Sequence, residues 1–252
     1  MKFGLFMLPC FREGVAPSLA DFYDEMSELV AVADTTGWER LWISEHHFHY
    51  YGGASPNPAV QLAAWARETK HIRLGPAISL TPLRNPLHIA EDYAVVDQLS
   101  GGRLDFGIGR GYLPHEFAGH NLDPEQVSAM REEGFEIIRR AWSGETFAYD
   151  GDHYSFPKLK LYPLPLQDNV PIWVGASRTR DSFEWAGREG FNIMMNQYPM
   201  KPEDARERFG WYLDAWKDSG RAEGSHEAMM SVFLHIADTE EEAVAEAKRA
   251  VQ

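Results

Sequence analysis

The chain has a single cysteine, Cys10, among 252 residues. That scarcity excludes an internal disulfide and a cysteine-based zinc cluster, so the core must stand on packing, and Cys10 reads as a small packed residue rather than a nucleophile. Also absent is any apolar run near the roughly 18 to 20 residues a membrane span requires. Met1 to Pro9 carries neither a basic segment nor a signal-like cleavage site. A cytoplasmic protein without a membrane partner is expected. Basic residues are outnumbered, 24 Lys and Arg against 38 Asp and Glu, for a formal net charge of -14. No Lys/Arg cluster offsets that balance, which makes a nucleic-acid backbone a poor partner. Low-complexity tracts, internal repeats and linker-like breaks in composition are missing too, so residues 1–252 read as one domain.

What is present is ample material for a core, with 44% of residues hydrophobic and 25% charged. Its order is regular. Strand-like segments at 2–9, Trp38–Ile43, Ile72–Leu80, Arg103–Gly109, Pro171–Gly175, Phe191–Met195 and Met229–Ala237 are each followed by a helical segment. The helices carry their own punctuation. Ser18 with Asp21 and Thr239 with Glu242 have capping-box spacing, Asn57-Pro58 and Asn85-Pro86 open helices, and Gly37 and Ser100-Gly101-Gly102 close them. Further helices are expected over Asp123–Trp142, Arg180–Arg188 and Pro202–Lys217. Alternation of this kind means a parallel sheet with helices outside it, and seven strand-then-helix units favour an α/β fold of the TIM-type (β/α)8 barrel, lacking its last strand-helix unit. The exception is residues 145–170, a Tyr/Pro-rich insertion longer than an ordinary connection, which suits a lid or a dimer surface.

In such a barrel the C-terminal strand ends carry the site. Glu45-His46-His47, Ser79 to Arg84, Gly109-Arg110-Gly111, Ala176-Ser177 and Asn196-Gln197 should therefore face one mouth. A metal site at Glu45-His46-His47 is disfavoured because the residues are contiguous, whereas two ligands projecting together from one strand need a gap. A neutral histidine there can instead exchange a proton near pH 7. Neighbouring strand residues point to opposite faces, so His46 and His47 have different jobs, one of them structural. Gly107-Ile108-Gly109-Arg110-Gly111 fits neither the dinucleotide fingerprint nor the P-loop. It implies only close backbone approach beside one fixed cation, which an anion or a flat ring carrying a phosphate could use, as could a plain tight turn. Gly175-Ala176-Ser177 and Ser182 bring hydroxyls and free N–H groups to a helix start, which suits a phosphate or simple capping.

Met1-Lys2-Phe3-Gly4-Leu5-Phe6, Glu45-His46-His47-Phe48, Glu91-Asp92, Asp97-Gln98-Leu99-Ser100-Gly101-Gly102-Arg103, Gly107-Ile108-Gly109-Arg110-Gly111 and Glu184-Trp185-Ala186 occur in this order. Together they resemble the bacterial-luciferase-like flavin-dependent monooxygenases, along essentially the whole chain. The resemblance implies reduced FMN, delivered by a separate NAD(P)H-dependent flavin reductase, reacting with O2 to a C4a-hydroperoxyflavin that oxidises a small organic substrate. By position it implies His46 as the catalytic histidine, with Glu45 as a supporting acid. Ala77-Ile78 matches a dipeptide under the flavin ring, often joined by a cis bond. Arg110, Ser177 and Ser182 match the flavin phosphate region, beside Ala176. A homodimer is expected, and no metal. The position of luciferase's reactive cysteine is Gly109, so no thiol role is implied. Related readings are hydride transfer with the deazaflavin F420, and flavin binding without turnover. Family members usually continue past a helix like Thr239–Val251, so a truncated chain is expected.

Overall fold

The strand-and-helix alternation becomes a single row of parallel strands in the computed structural model, which describes every residue except Val15, Ala16, Gln197, Tyr198, Pro199, Glu223 and Gln252. The strands are β1 (Gly4–Met7), β2 (Arg40–Ile43), β3 (Arg73–Pro76), β4 (Ser79–Leu80), β5 (Phe106–Gly109), β8 (Ile172–Gly175), β9 (Asn192–Asn196) and β10 (Ala228–Ser231), with the hairpin strands β6 (Phe147–Asp150) and β7 (Ser155–Leu159) set apart. The helices are α1 (Leu19–Thr35), α2 (Pro58–Glu68), α3 (Pro86–Ser100), α4 (Pro114–Gly119), α5 (Val127–Trp142), α6 (Arg180–Glu189), α7 (Pro202–Asp218) and α8 (Glu240–Val251). Hydrogen-bonded order is β1-β2-β3 and β4-β5-β8-β9-β10, and a parallel bridge between Leu74 and Leu104 joins the two runs. The row follows chain order, as in a barrel, where each crossover leads to the neighbouring strand, and unlike a doubly wound sheet, whose order reverses. Strands buried on both faces need apolar residues on both, and Leu41, Trp42, Ile43, Phe106 and Ile108 are all buried.

Local chemistry sets the element ends. Ser18 Oγ accepts from Asp21 N at 3.1 Å, Asn85 Oδ1 from Leu87 N at 2.9 Å, and Thr239 Oγ1 from Glu242 N at 3.2 Å. Gly101, at φ +71, supplies the left-handed residue that closes α3. Arg103 then reaches back to Ser100 O, Ala66 O, Thr69 O and Ile72 O, at 2.6 to 3.0 Å. One guanidinium therefore satisfies carbonyls left over at the ends of two helices and at the start of a strand.

Several expectations are adjusted. Cys10, expected as a packed residue, is exposed, with its Sγ accepting from Gly52 N at 3.3 Å. The segment Ile72–Leu80 divides into β3 and β4, separated by Ala77 and Ile78. The expected helix at Asp123 starts at Val127, after a turn closed by Gln126 N donating to Asp123 O at 3.0 Å, while an unanticipated short helix, α4, occupies Pro114–Gly119. The insertion at 145–170 contains the antiparallel β6-β7 hairpin, pinned to α5 where Glu133 accepts from the backbone of His153 and Tyr154, each at 3.0 Å. The first strand shortens from 2–9 to Gly4–Met7, and the last from Met229–Ala237 to Ala228–Ser231.

Candidate active site

Strand β2 runs from its buried core residues straight into Ser44-Glu45-His46-His47, all of them buried. Burial of so many polar groups is tolerable only if they are partnered. The partner comes from α4. Glu116, whose side chain has no exposed surface, places Oε1 3.0 Å from His46 Nδ1 and accepts from His47 N at 2.9 Å. Burial pushes the Glu116 pKa up, but the hydrogen bonds from His46 and from the His47 backbone outweigh it and hold the group below the ordinary carboxylate range. An ionised acceptor at Nδ1 fixes the imidazole as the Nδ1–H tautomer and leaves the Nε2 lone pair free for chemistry.

His47 turns the other way. Its Nε2 lies 3.3 Å from Glu45 Oε1, while Glu45 Oε2 accepts from Leu80 N at 3.1 Å. Glu45 thus ties the end of β2 to β4. The different jobs expected for the two histidines take this form: each pairs with its own carboxylate, and α4 holds both.

The His46 ring is framed by Tyr51, with ring centroids 5.2 Å apart, and by Tyr112, edge-on at 6.0 Å. Behind it lies Gly52, at φ +70, where a Cβ would overlap the imidazole. Burial and the Tyr51 hydroxyl raise the Tyr112 pKa, so that phenol stays neutral and can donate a hydrogen bond. The peptide bond between Ala77 and Ile78 is cis. Ile78 lies against Gly109 and Gly175, at both of which a Cβ would overlap or crowd its side chain. Trp42 and Trp173, edge to face at 5.3 Å, pack with Met194 beneath Ala77 and Ile78. The result is an apolar shelf at the strand ends, tied to β2 where Ala77 N donates to Ile43 O at 2.7 Å.

A cationic corner adjoins the shelf. Arg110 donates to Ser128 Oγ at 3.1 Å. Arg131 is 2% exposed, lies over the Trp185 ring at 4.3 Å, and has a buried Nε without a hydrogen-bond partner among the described residues. Its Nη2 pairs with Glu132 at 2.7 Å, yet burial outweighs that pair and lowers the pKa, with the charge of Arg110 a smaller contribution in the same direction. Two arginines that repel one another, one with an orphaned donor, fit an anion. The start of α6 is close by, since Asp181 in its first turn acts on Arg131, and there Thr179 Oγ1 and Ser182 Oγ are 2.9 Å apart. Ser182 is buried, whereas Ser177 is exposed, with its carbonyl taken by Arg208. Ala176 is buried and its N–H is committed to Met194 O at 2.9 Å. Of the residues expected on sequence grounds, Ser182 and Arg110 share this corner, and Glu45 and His46 lie at the end of β2. Gln197 lies outside the described residues. Glu116, Arg131 and Thr179 were missed. Thr179 stands three residues before Ser182, a hydroxyl pair across a helix start that the sequence displays. Arg131 and Glu116 offer only a charged residue on a mostly apolar helix face, which does not by itself separate a buried site from a surface.

Comparison with known proteins settles the lineage. A family model described as luciferase-like monooxygenase matches residues 1–252. The chain belongs to this family. Among its relatives is the oxygenase component of flavin-dependent trigonelline monooxygenase from Acinetobacter baylyi, 33% identical over 96% of this chain and 67% of that protein. The crystal structure of monooxygenase RslO1 from Streptomyces bottropensis superposes with a TM-score of 0.92 at 31% identity, over 100% of this chain and 76% of that one. The oxygenating constituent of 3,6-diketocamphane monooxygenase from Pseudomonas putida, a type II Baeyer-Villiger monooxygenase solved with FMN, gives 0.86 at 25% identity, over 99% and 72%. This luciferase-like chain spans 51 to 67% of the length of the first curated relatives it matches. No helix among the described residues is long and apolar enough to cross a membrane.

Proposed function

We propose that this protein is the oxygenase of a two-component flavin monooxygenase, taking reduced FMN from a separate NAD(P)H-dependent reductase and using O2 to oxidise a small, largely apolar organic molecule. The observation that carries the reading is His46, whose Nδ1 is held by a buried carboxylate so that Nε2 is left for chemistry, with Tyr51 and Tyr112 around the ring. Support for the flavin comes from the cationic corner. The residues present fit FMN, with Arg110, Arg131, Thr179 and Ser182 holding its phosphate and Ala77-Ile78 seating its ring. Support for a separate reductase is the name of the Acinetobacter relative, an oxygenase component.

Bound reduced FMN would supply the electrons for splitting O2. The chain's own residues do the rest. His46 Nε2 takes or returns a proton next to the ring, Glu116 stabilises the imidazolium this creates, and Tyr51 and Tyr112 exclude water around it. The same reading carries a homodimer, which sedimentation would detect.

The test mixes photoreduced FMN, protein in excess, with oxygenated buffer. His46→Ala is expected to bind FMN as the wild type does and to slow oxygen uptake by about 10² to 10⁴. Oxygen uptake at the wild-type rate in that variant would falsify the role of His46. Titrating FMN and F420 in parallel decides the cofactor: tighter F420 binding converts the proposal to hydride transfer. Uptake no faster than that of free flavin leaves flavin binding alone.

A further inference from the structure

Two polar atoms on the Glu116 side of His46 have no partner among the described residues. Glu116 Oε2 and His120 Nε2 are both buried, and neither is hydrogen-bonded to any described residue. They belong to residues four apart on one helical turn, closed by His120 N donating to Glu116 O at 3.0 Å. Such positions share a face, with Cβ atoms roughly 5–6 Å apart. One water between them would satisfy an acceptor and a ring nitrogen at once, which is how buried polar atoms of this kind are usually accommodated. The His120 ring also stands edge-on to His47 at 4.8 Å and lies 5.2 Å from Phe48. It is only half-buried as a residue, and its Nδ1 is not among the buried atoms left without a partner.

We propose that a water bridges Glu116 Oε2 and His120 Nε2, and that His120 is the outward end of a proton path serving His46 once a flavin covers the mouth. The inference rests on the proton-transfer role given to His46. Its steps balance. When Nε2 gains a proton, the imidazolium so formed passes its Nδ1 proton to Glu116 Oε1, the carboxyl turns about its Cγ–Cδ bond to present that proton to the water, and the reverse route restores the Nδ1 proton when Nε2 gives its own up. The water passes one of its protons to His120 Nε2 as it takes the one from Glu116, and His120 releases the Nδ1 proton to solvent. The titratable groups facing His120 are His47, Glu45 and Glu116. Burial, and then the His47 charge, lower the His120 pKa. A neutral ring accepts and donates in turn, as a relay must. His120 is a positioning and relay residue, since it acts through Glu116 and touches no reacting atom.

The experiment is solvent exchange of the His46 Nδ1 proton, read by NMR on ¹⁵N-histidine-labelled full chain with oxidised FMN as the probe that covers the mouth. His120→Phe is expected to lengthen that proton's lifetime about tenfold or more, and His120→Gln, which can still bind the water but cannot carry a proton, to do the same. In His120→Ala, added imidazole should restore exchange toward the wild-type rate, a rescue that a purely structural histidine would not show. Wild-type lifetimes in both His120→Phe and His120→Gln, or no imidazole rescue in His120→Ala, would overturn the relay. No turnover is needed for this reading. Normal oxygen uptake by His46→Ala would sink the proposed function while leaving the exchange result standing.

Discussion

Charged groups are buried at both ends of the strand row, and the two ends treat them differently. At the N-terminal end, Asp105, 1% exposed, accepts from Arg40 Nε at 2.9 Å and from Arg73 Nε and Nη2 at 2.9 and 3.0 Å. Arg40 continues to Glu227 at 2.8 Å and packs over Trp173 at 5.1 Å. Both oxygens of the buried acid are used, and opposite charges alternate across the interior, drawing β2, β3, β5 and the entry to β10 together. At the C-terminal end the groups are also paired, His46 with Glu116 and His47 with Glu45, but bonding capacity is left over. Glu116 Oε2, His120 Nε2 and Arg131 Nε have no hydrogen-bond partner among the described residues. A closed network defines a fold; an open one reserves bonds for something else. The contrast separates the structural end from the chemical end without reference to any ligand.

The comparison can be broken or sharpened by exchanging the burden between the two ends. The largest effect is expected for His46→Ala, which should cost about 10² to 10⁴ in the oxygen reaction, far more than its loss of the Glu116 pair costs in stability. Asp105→Ala should show the reverse pattern. It removes the carboxylate shared by two partly buried guanidinium groups, leaving Arg73 without its ion pair while Arg40 keeps Glu227, for a loss of about 3 kcal/mol in urea unfolding, with FMN affinity of the folded fraction unchanged. An Asp105→Ala protein that lost flavin but not stability would dissolve the division of labour. Arg131→Ala should weaken FMN by about 1.5–3 kcal/mol and riboflavin hardly at all, as fluorescence titration would show, because only FMN carries the phosphate. Equal losses for both ligands would move Arg131 out of the phosphate site.

The smallest effect concerns a third carboxylate, neither floor nor mouth. Asp34 at the end of α1 accepts from the backbone N–H groups of Lys70, His71 and Ile72 at 2.7 to 3.0 Å. Burial raises its pKa, but these three N–H groups outweigh that and hold it below the ordinary value. A depressed folded value means its contribution is complete above the unfolded pKa of about 3.9 and disappears as pH falls through the folded one. Asp34→Asn should therefore cost about 1 kcal/mol at pH 7, and the gap from wild type should close in strongly acid solution, as unfolding curves at both pH values would record.

The sequence displayed the parts of this architecture that depend on local pattern. Alternating apolar runs, Ser18, Asn85 and Thr239 as caps, and the glycines after α3 placed the elements before any coordinates did, because each is decided by a few neighbouring residues. The strand ends also drew attention to His46 and Arg110, since barrel topology fixes which end of a strand faces the mouth. What stayed hidden depends on contacts distant in the chain. Glu116 is 70 positions from His46, on a helix of only 6 residues that has no capping hydrogen bond from its N-cap side chain. Arg131 looks like any charged residue on an amphipathic helix until α5 buries it against Trp185. The break between β3 and β4 does not show in the apolar pattern, which runs on through Ala77 and Ile78; only the family resemblance marked that dipeptide.

Ile78 carries one further consequence. Its side chain already occupies the space where a Cβ on Gly109 would go, and it crowds the corresponding position on Gly175 as well. The three residues therefore constitute a single unit of variation. A side chain added at 109, a thiol included, must push aside the Cδ1 end of Ile78, so the change at 109 should be better tolerated with a smaller residue at 78 than with Ile78. Exchange of glycine for cysteine beside this shelf is eased by a smaller residue at 78. The shape of the shelf and the reactive groups available to it are inherited as one choice.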